Sequence, residues 1–248
     1  MTDLTFYLVP LVLCLAAVLY SSVGHGGASA YIAVLSLFGF AAAAIRPAAL
    51  ALNIVVACIA MIQFARARHV AWKLFVPLSI ASVPLAFVGG MISLPTNLHR
   101  LLLGVVLLYA AGYLWWSTRV PRIDEVQRLL PLPWLLAAGG AIGMLSGLTG
   151  VGGGIFLSPL LLALHAATTR DTSGTSAAFI LVNSIAGLAG FLARGGTIPE
   201  QVPVWAVAAG IGGIIGATWG AKYLATTTLR RILALVLTIA GLKMLGIG

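Results

Sequence analysis

Ten apolar runs, parted by short polar or turn-forming stretches, make up almost the whole chain and decide the solvent it folds in. They cover residues 4–22, 28–40, 46–64, 74–92 and 98–117, then 132–148, 155–164, 176–192, 204–224 and 229–247. A helix rises about 1.5 Å per residue, so about 20 residues cross the roughly 30 Å hydrocarbon core of a bilayer. About eight of the runs approach that length. Charged residues are 8% of the chain, against about 25% in a soluble domain. Fourteen Lys+Arg and five Asp+Glu cannot wet a globular surface. The expected fold class is therefore an all-α integral membrane protein, with the lipid bilayer as its surroundings. The net charge of +9 does not point to nucleic acid, because the basic residues stand singly or in small groups between apolar runs. That pattern carries topology information instead. Cys14 and Cys58 sit in apolar runs with no CxxC or His neighbour and read as small buried residues. The first run lacks a basic leader and a small-residue cleavage site, so it is expected to be retained.

Runs 28–40 and 155–164 are too short to span, and each follows a glycine cluster. Gly24-His25-Gly26-Gly27 and Gly150-Val151-Gly152-Gly153 match at an offset of 126. Asn53 and Asn183 match at 130, and Gly89/Gly220 and Arg100/Arg231 at 131. Apolar sequences match by chance, but glycine clusters, buried Asn and Arg in one order indicate a duplication. The expected organisation is a first membrane repeat over 1–118, a polar linker over 119–131 and a second repeat over 132–248, all in one membrane domain.

Loop charge orients the repeats. If each glycine-broken pair of runs crossed the membrane once, eight basic residues would lie on one side and six on the other. If each pair is a hairpin that enters and leaves on one face, the division becomes ten against four, with Arg46, Arg100, Arg194 and Lys243 in the minority. The second division is a positive-inside signal. It predicts two inverted repeats, each a re-entrant-like hairpin plus three transmembrane helices, with the linker cytoplasmic and both termini periplasmic. Inverted repeats with discontinuous helices build many secondary transporters, whose substrate sites lie where the breaks meet.

A run of glycines costs helix stability and so needs a cause. Scattered glycines such as Gly210, Gly212, Gly213, Gly216 and Gly220 read as close helix packing. The clusters Gly24–Gly27 and Gly150, Gly152, Gly153 and Gly154 instead precede a short helix, whose free N–H groups and positive dipole end suit an anion. Ser21, Ser22, Ser29, Thr149 and Ser158 flank the breaks as possible hydroxyl donors, and Thr175 and Ser176 open the run that carries Asn183. Asn53 and Asn183 read equally as interhelical hydrogen bonds or as substrate contacts. His25, inside the first break, is either a satisfied structural group or a proton or anion partner at membrane depth. His69 and His99 fall near segment ends. Asp3, Asp124, Glu125, Asp171 and Glu200 all fall in termini or loops, which disfavours a cation substrate. No motif for an intramembrane enzyme, a metal ligand set or a cofactor is present, so none of these is expected.

Gly150-Val151-Gly152-Gly153-Gly154-Ile155-Phe156-Leu157-Ser158-Pro159-Leu160, with its degenerate copy Gly24-His25-Gly26-Gly27-Ala28, resembles the TauE/SafE sulfite exporter family. The resemblance spans essentially the whole chain. It departs at His25, where the family has a small or apolar residue, and at Ala33, where the second copy has Pro159. It implies a transporter of small sulfur-containing anions (sulfite, thiosulfate or short sulfonates) in a bacterial inner membrane, working as an exporter. An anion channel, or a membrane scaffold whose glycines only pack helices, are the competing readings. The sequence is compatible with a homo-oligomer and does not select the oligomeric state.

Overall fold

The structure is a computed structural model that describes residues 3–22, 26–117, 119, 130–222 and 227–246. The described residues form ten helices: α1 (Asp3–Ser21), α2 (Ala28–Leu37), α3 (Ala42–Arg66), α4 (Trp72–Met91), α5 (Thr96–Ser117), α6 (Leu132–Thr149), α7 (Gly154–Ala163), α8 (Thr169–Ala193), α9 (Val202–Lys222) and α10 (Thr227–Leu245). No strand occurs among these residues. Five helices are long and apolar enough to cross a membrane: α3, α4, α5, α6 and α8. The described apolar portions of α1, α9 and α10 are shorter.

The helix lengths repeat in order. Helices α1 to α5 have 19, 10, 25, 20 and 22 residues, and α6 to α10 have 18, 10, 25, 21 and 19. The two ten-residue helices begin where the glycine clusters end. Gly27 caps α2 at φ 94° and Gly153 caps α7 at φ 83°. An L side chain in that left-handed region pays about 1–2 kcal/mol, so glycine starts both helices at little cost. At ten residues each, the two reach about 15 Å, half the hydrocarbon core.

Two boundaries differ from those read in the sequence. Helix α3 starts at Ala42, so Arg46 stands inside it and is 2% exposed instead of lying in a loop. Helix α8 starts seven residues before run 176–192, capped by Thr168, whose hydroxyl accepts from Asp171 N at 3.1 Å. Thr175 and Ser176 therefore do not open the helix, and Asp171 lies in its first turn instead of in a loop. In both places a polar residue interrupts the apolar run without interrupting the helix, because it is satisfied by neighbours the sequence does not reveal.

Glycines set the closest helix contacts. On α6, Gly139, Gly143 and Gly147 lie against the carbonyls of Leu78, Ser82 and Ala86 on α4, in step, so these two helices run parallel. Gly212 and Gly216 of α9 likewise meet the carbonyls of Cys14 and Val18 on α1. Small residues at four-residue spacing allow backbone to approach backbone in this way. Gly210 and Gly213 face Val55 and Val56 of α3 at 3.3 Å from a would-be Cβ. Thus α4 packs on α6 and α8, while α9 packs on α1 and α3.

The corresponding long helices of the two halves run antiparallel. Arg46 near the start of α3 lies over Phe191 near the end of α8, and beyond the other end of α3 His69 meets Asp171 in the first turn of α8 at 3.1 Å. On α5 and α10, Gly104 meets the Gly241 carbonyl, while Trp115 lies under Arg231.

Candidate functional site

The two glycine breaks meet at one side chain. A Cβ on Gly26 would stand 2.5 Å from Asn53 Oδ1 and 2.9 Å from Ile180 Cγ2. A Cβ on Gly152 would stand 2.5 Å from Asn53 Nδ2, 2.9 Å from Ile180 Cγ2 and 3.0 Å from Ser184 Oγ. The Asn53 carboxamide therefore lies between the breaks with one end toward each. Any side chain at position 26 or 152 would displace it. Gly152 also has φ 78°, so its backbone too excludes larger residues at low cost.

Asn53 Nδ2 donates to Val151 O at 3.3 Å and to Ser184 Oγ at 3.5 Å. Both are long beside the usual 2.9–3.0 Å for N–H···O. Asn53 Oδ1 is buried and has no partner among the described residues. Among the described residues neither short helix receives a side-chain cap; Phe156 N of α7 turns back to Gly153 O at 3.1 Å, and the earlier N–H groups of α2 and α7 face the breaks. Their positive ends converge on the same carboxamide.

The remaining sequence candidates separate into four groups. Gly24 and His25 lie outside the described residues. Gly27 and Gly150 serve their own break: Gly27 sits under Tyr31, and Gly150 (φ 82°) rests against the Arg46 backbone. Gly153 meets Ile142 and Phe179, and Gly154 meets Ile180. The hydroxyls all bond within the protein. Ser21 donates to Ala17 O, Ser22 to Leu19 O, Ser29 to Tyr20 Oη and Thr149 to Leu145 O. Ser158 and Ser176 bond each other at 2.8 Å. Thr175 Oγ1 accepts from Ala71 N at 3.0 Å and so ties the α3–α4 turn to α8, away from the breaks. Asn183 Nδ2 donates to Phe179 O one turn back in its own helix, at 2.8 Å, and does not join Asn53.

Four residues at or beside the site were not singled out in the sequence. Ile180 and Ser184 carried no signal, being ordinary residues of an apolar helix. Tyr31 is fully buried, and its hydroxyl, 2.7 Å from the Cβ position of Gly27, has no hydrogen-bond partner among the described residues. Arg46 donates from Nη2 to Gly89 O at 2.6 Å and Gly90 O at 2.9 Å, and from Nη1 to Ile92 O at 3.1 Å. It thereby closes the carbonyl end of α4, as Lys243 does for α2 through Ser36 O and Leu37 O. Both cations were counted as loop charges in the sequence.

The profile of the sulfite exporter TauE/SafE family matches residues 9–244. The chain belongs to this family. A probable membrane transporter protein of Sinorhizobium fredii is 38% identical over 231 residues, covering 92% of this chain and 94% of that protein. A second probable membrane transporter protein, from Methanocaldococcus jannaschii, is 28% identical over 137 residues, 54% of this chain and 50% of that one. No solved structure matches the chain significantly. The TauE/SafE match contains both glycine breaks, Asn53 and Arg46, so the convergence described above lies within the matched part of the chain.

Proposed function

We propose that this TauE/SafE member is a secondary transporter, an exporter, of a small sulfur-containing oxyanion or short sulfonate bound where the two breaks meet. The observation that carries the reading is Asn53 held between Gly26 and Gly152, at the uncapped starts of two half-length helices. Two helix N-termini offer backbone donors and positive partial charge to one small anion. The family's name suggests the substrate class and the direction, and the names of the two relatives support membrane transport and nothing finer. A second support is the placement of charge. Asp171 lies at the end of its helix, 30% exposed and paired with His69, so it is remote from the breaks.

In this reading the carboxamide is a placeholder. An entering oxyanion takes over Asn53 Nδ2 from Val151 O and Ser184 Oγ, whose long bonds are weak enough to exchange. Opening of one break admits the anion from one side, and opening of the other releases it. Such alternation follows naturally from inverted repeats, and the antiparallel pairs α3/α8 and α5/α10 support that topology. The capping roles of Arg46 and Lys243 strengthen the loop-charge argument. Two of the four minority cations are held by helix carbonyls, so the remaining tally is more one-sided.

The test is uptake of labelled sulfite into proteoliposomes of defined orientation, with thermal unfolding of the purified protein in sulfite, thiosulfate, sulfoacetate, sulfate and chloride. Folded Gly26→Leu and Gly152→Leu proteins should lose both transport and anion-dependent stabilisation. Unchanged transport in both would remove the site assignment.

A further inference from the structure

At the end of the molecule where the 119–131 linker leaves α5, the seam between α5 and α10 opens into a groove of about 340 Å³ lined by Gly112, Trp115, Trp116, Arg119, Leu235 and Thr238. A Cβ on Gly112 would meet nothing within 4 Å among the described residues, so the groove is open there. Its floor is apolar. Thr238 Oγ1 donates to Ala234 O at 2.8 Å, one turn back, and so offers its proton to the helix. Trp115 and Trp116 are about half exposed, and the Arg231 guanidinium carbon lies 5.7 Å from the centroid of the Trp115 ring. Among the described residues neither Arg119 nor Arg231 has a carboxylate partner.

We propose that this groove is a phospholipid site, with an acyl chain on the apolar floor and an anionic headgroup phosphate between Arg119 and Arg231. Tryptophan pairs at the end of a span mark the depth of the membrane–water interface, where an amphipathic ring has one wet and one apolar side. Arginine beside such a ring, at the mouth of an apolar groove, faces headgroups and not hydrocarbon. A guanidinium also suits phosphate geometry through its planar fork of donors. Charge argues against a second copy of the chain as the occupant. A twofold pairing on this face would set Arg119 and Arg231 against like residues, with only apolar partners between them. The occupant that satisfies both the apolar floor and the two cations is an anionic lipid. This inference rests on the seam alone and stands or falls independently of the transported anion.

The test compares thermal unfolding of the purified full chain with added dioleoylphosphatidylglycerol, dioleoylphosphatidylcholine or inorganic phosphate, together with native mass spectrometry of retained lipid. Phosphatidylglycerol is expected to raise the unfolding temperature well above the phosphatidylcholine value and to be retained at one copy per seam, while inorganic phosphate leaves it unmoved. The Arg119→Gln/Arg231→Gln variant is expected to lose the headgroup preference while keeping the phosphatidylcholine value. Gly112→Leu, which fills the groove without touching charge, is expected to lose lipid retention. Equal stabilisation by both lipids, or a preference that survives both variants, would overturn the proposal. So would a dimer that excludes lipid from the seam.

Discussion

Asn53 and Ile180 hold the same place in corresponding helices, each the twelfth residue, and both press on Gly26 and Gly152. At that shared place the site is polar on the α3 side and apolar on the α8 side, where Ser184, one turn further on, supplies the hydroxyl. Asn183, the sequence partner of Asn53, lies three positions further on and bonds within its own helix. Asn53→Leu is therefore expected to cost transport at least tenfold, as loss of one hydrogen bond of about 1.5–3 kcal/mol to a charged ligand requires. Asn183→Leu should change anion affinity much less. Anion titrations of unfolding temperature on both variants decide it, and equal losses would argue for two symmetric contacts.

Gly26 and Gly152 meet the same carboxamide for different reasons, and a double-mutant comparison separates them. Gly26→Ala collides with Asn53 Oδ1, while its φ is not in the left-handed region. Truncating Asn53 to Ala in the same chain should restore much of the lost stability. Gly152→Ala carries the same collision and in addition a φ of 78°, worth about 1–2 kcal/mol of strain that no change at Asn53 relieves. Equal recovery in the two double variants would mean that backbone conformation contributes nothing at position 152.

Tyr31 offers a cleaner probe than the serines. Its buried hydroxyl has no partner among the described residues, so Tyr31→Phe removes no hydrogen bond from the unliganded fold. Unfolding without anion should stay within about 0.5 kcal/mol of wild type. Anion-dependent stabilisation should fall, because the hydroxyl beside Gly27 is free to donate to a ligand at the first break. Loss of stability without loss of anion response would assign Tyr31 to the fold alone.

Arg46 is expected to be the most costly single position outside the breaks. Arg46→Met strips three carbonyls at the end of α4 of a charged donor, and unsatisfied buried groups cost about 1–3 kcal/mol each. A loss of 3 kcal/mol or more is expected on that basis. Arg46→Lys should recover part of it, since an ammonium reaches fewer of the three carbonyls than a guanidinium fork. Chemical denaturation in detergent measures both, and a loss below about 1 kcal/mol for Arg46→Met would show that the carbonyls find other partners.

These positions also mark how far the sequence could be read. Helices α2 and α7 were legible because a glycine cluster and a short apolar run are local signals, and both helices begin where the clusters end. The start of α8 was not. Thr172, Ser173 and Gly174 read as a loop by hydropathy and Thr175 as the opening of the run, yet all four are buried inside the helix, with Gly174 against the His69 carbonyl and Thr175 accepting from Ala71 N. Arg46 misled in the same way, since a charge that ends an apolar run also caps a distant helix. Matching Asn53 with Asn183 failed for a different reason. Identity aligned the two amides, whereas the helix starts align Asn53 with Ile180. Tertiary partners decided the start of α8 and the place of Arg46.

The glycine seams of α4 on α6 and of α9 on α1 join helices from opposite halves. The covalent chain and the mechanical parts are therefore divided along different lines. Splitting the gene at the linker would yield two peptides, neither of which holds a complete seam. Each would expose a stripe of bare backbone to lipid until the other arrived. Each half thus needs the other to cover its glycines, and on the transport reading proposed above any moving body would be drawn from both.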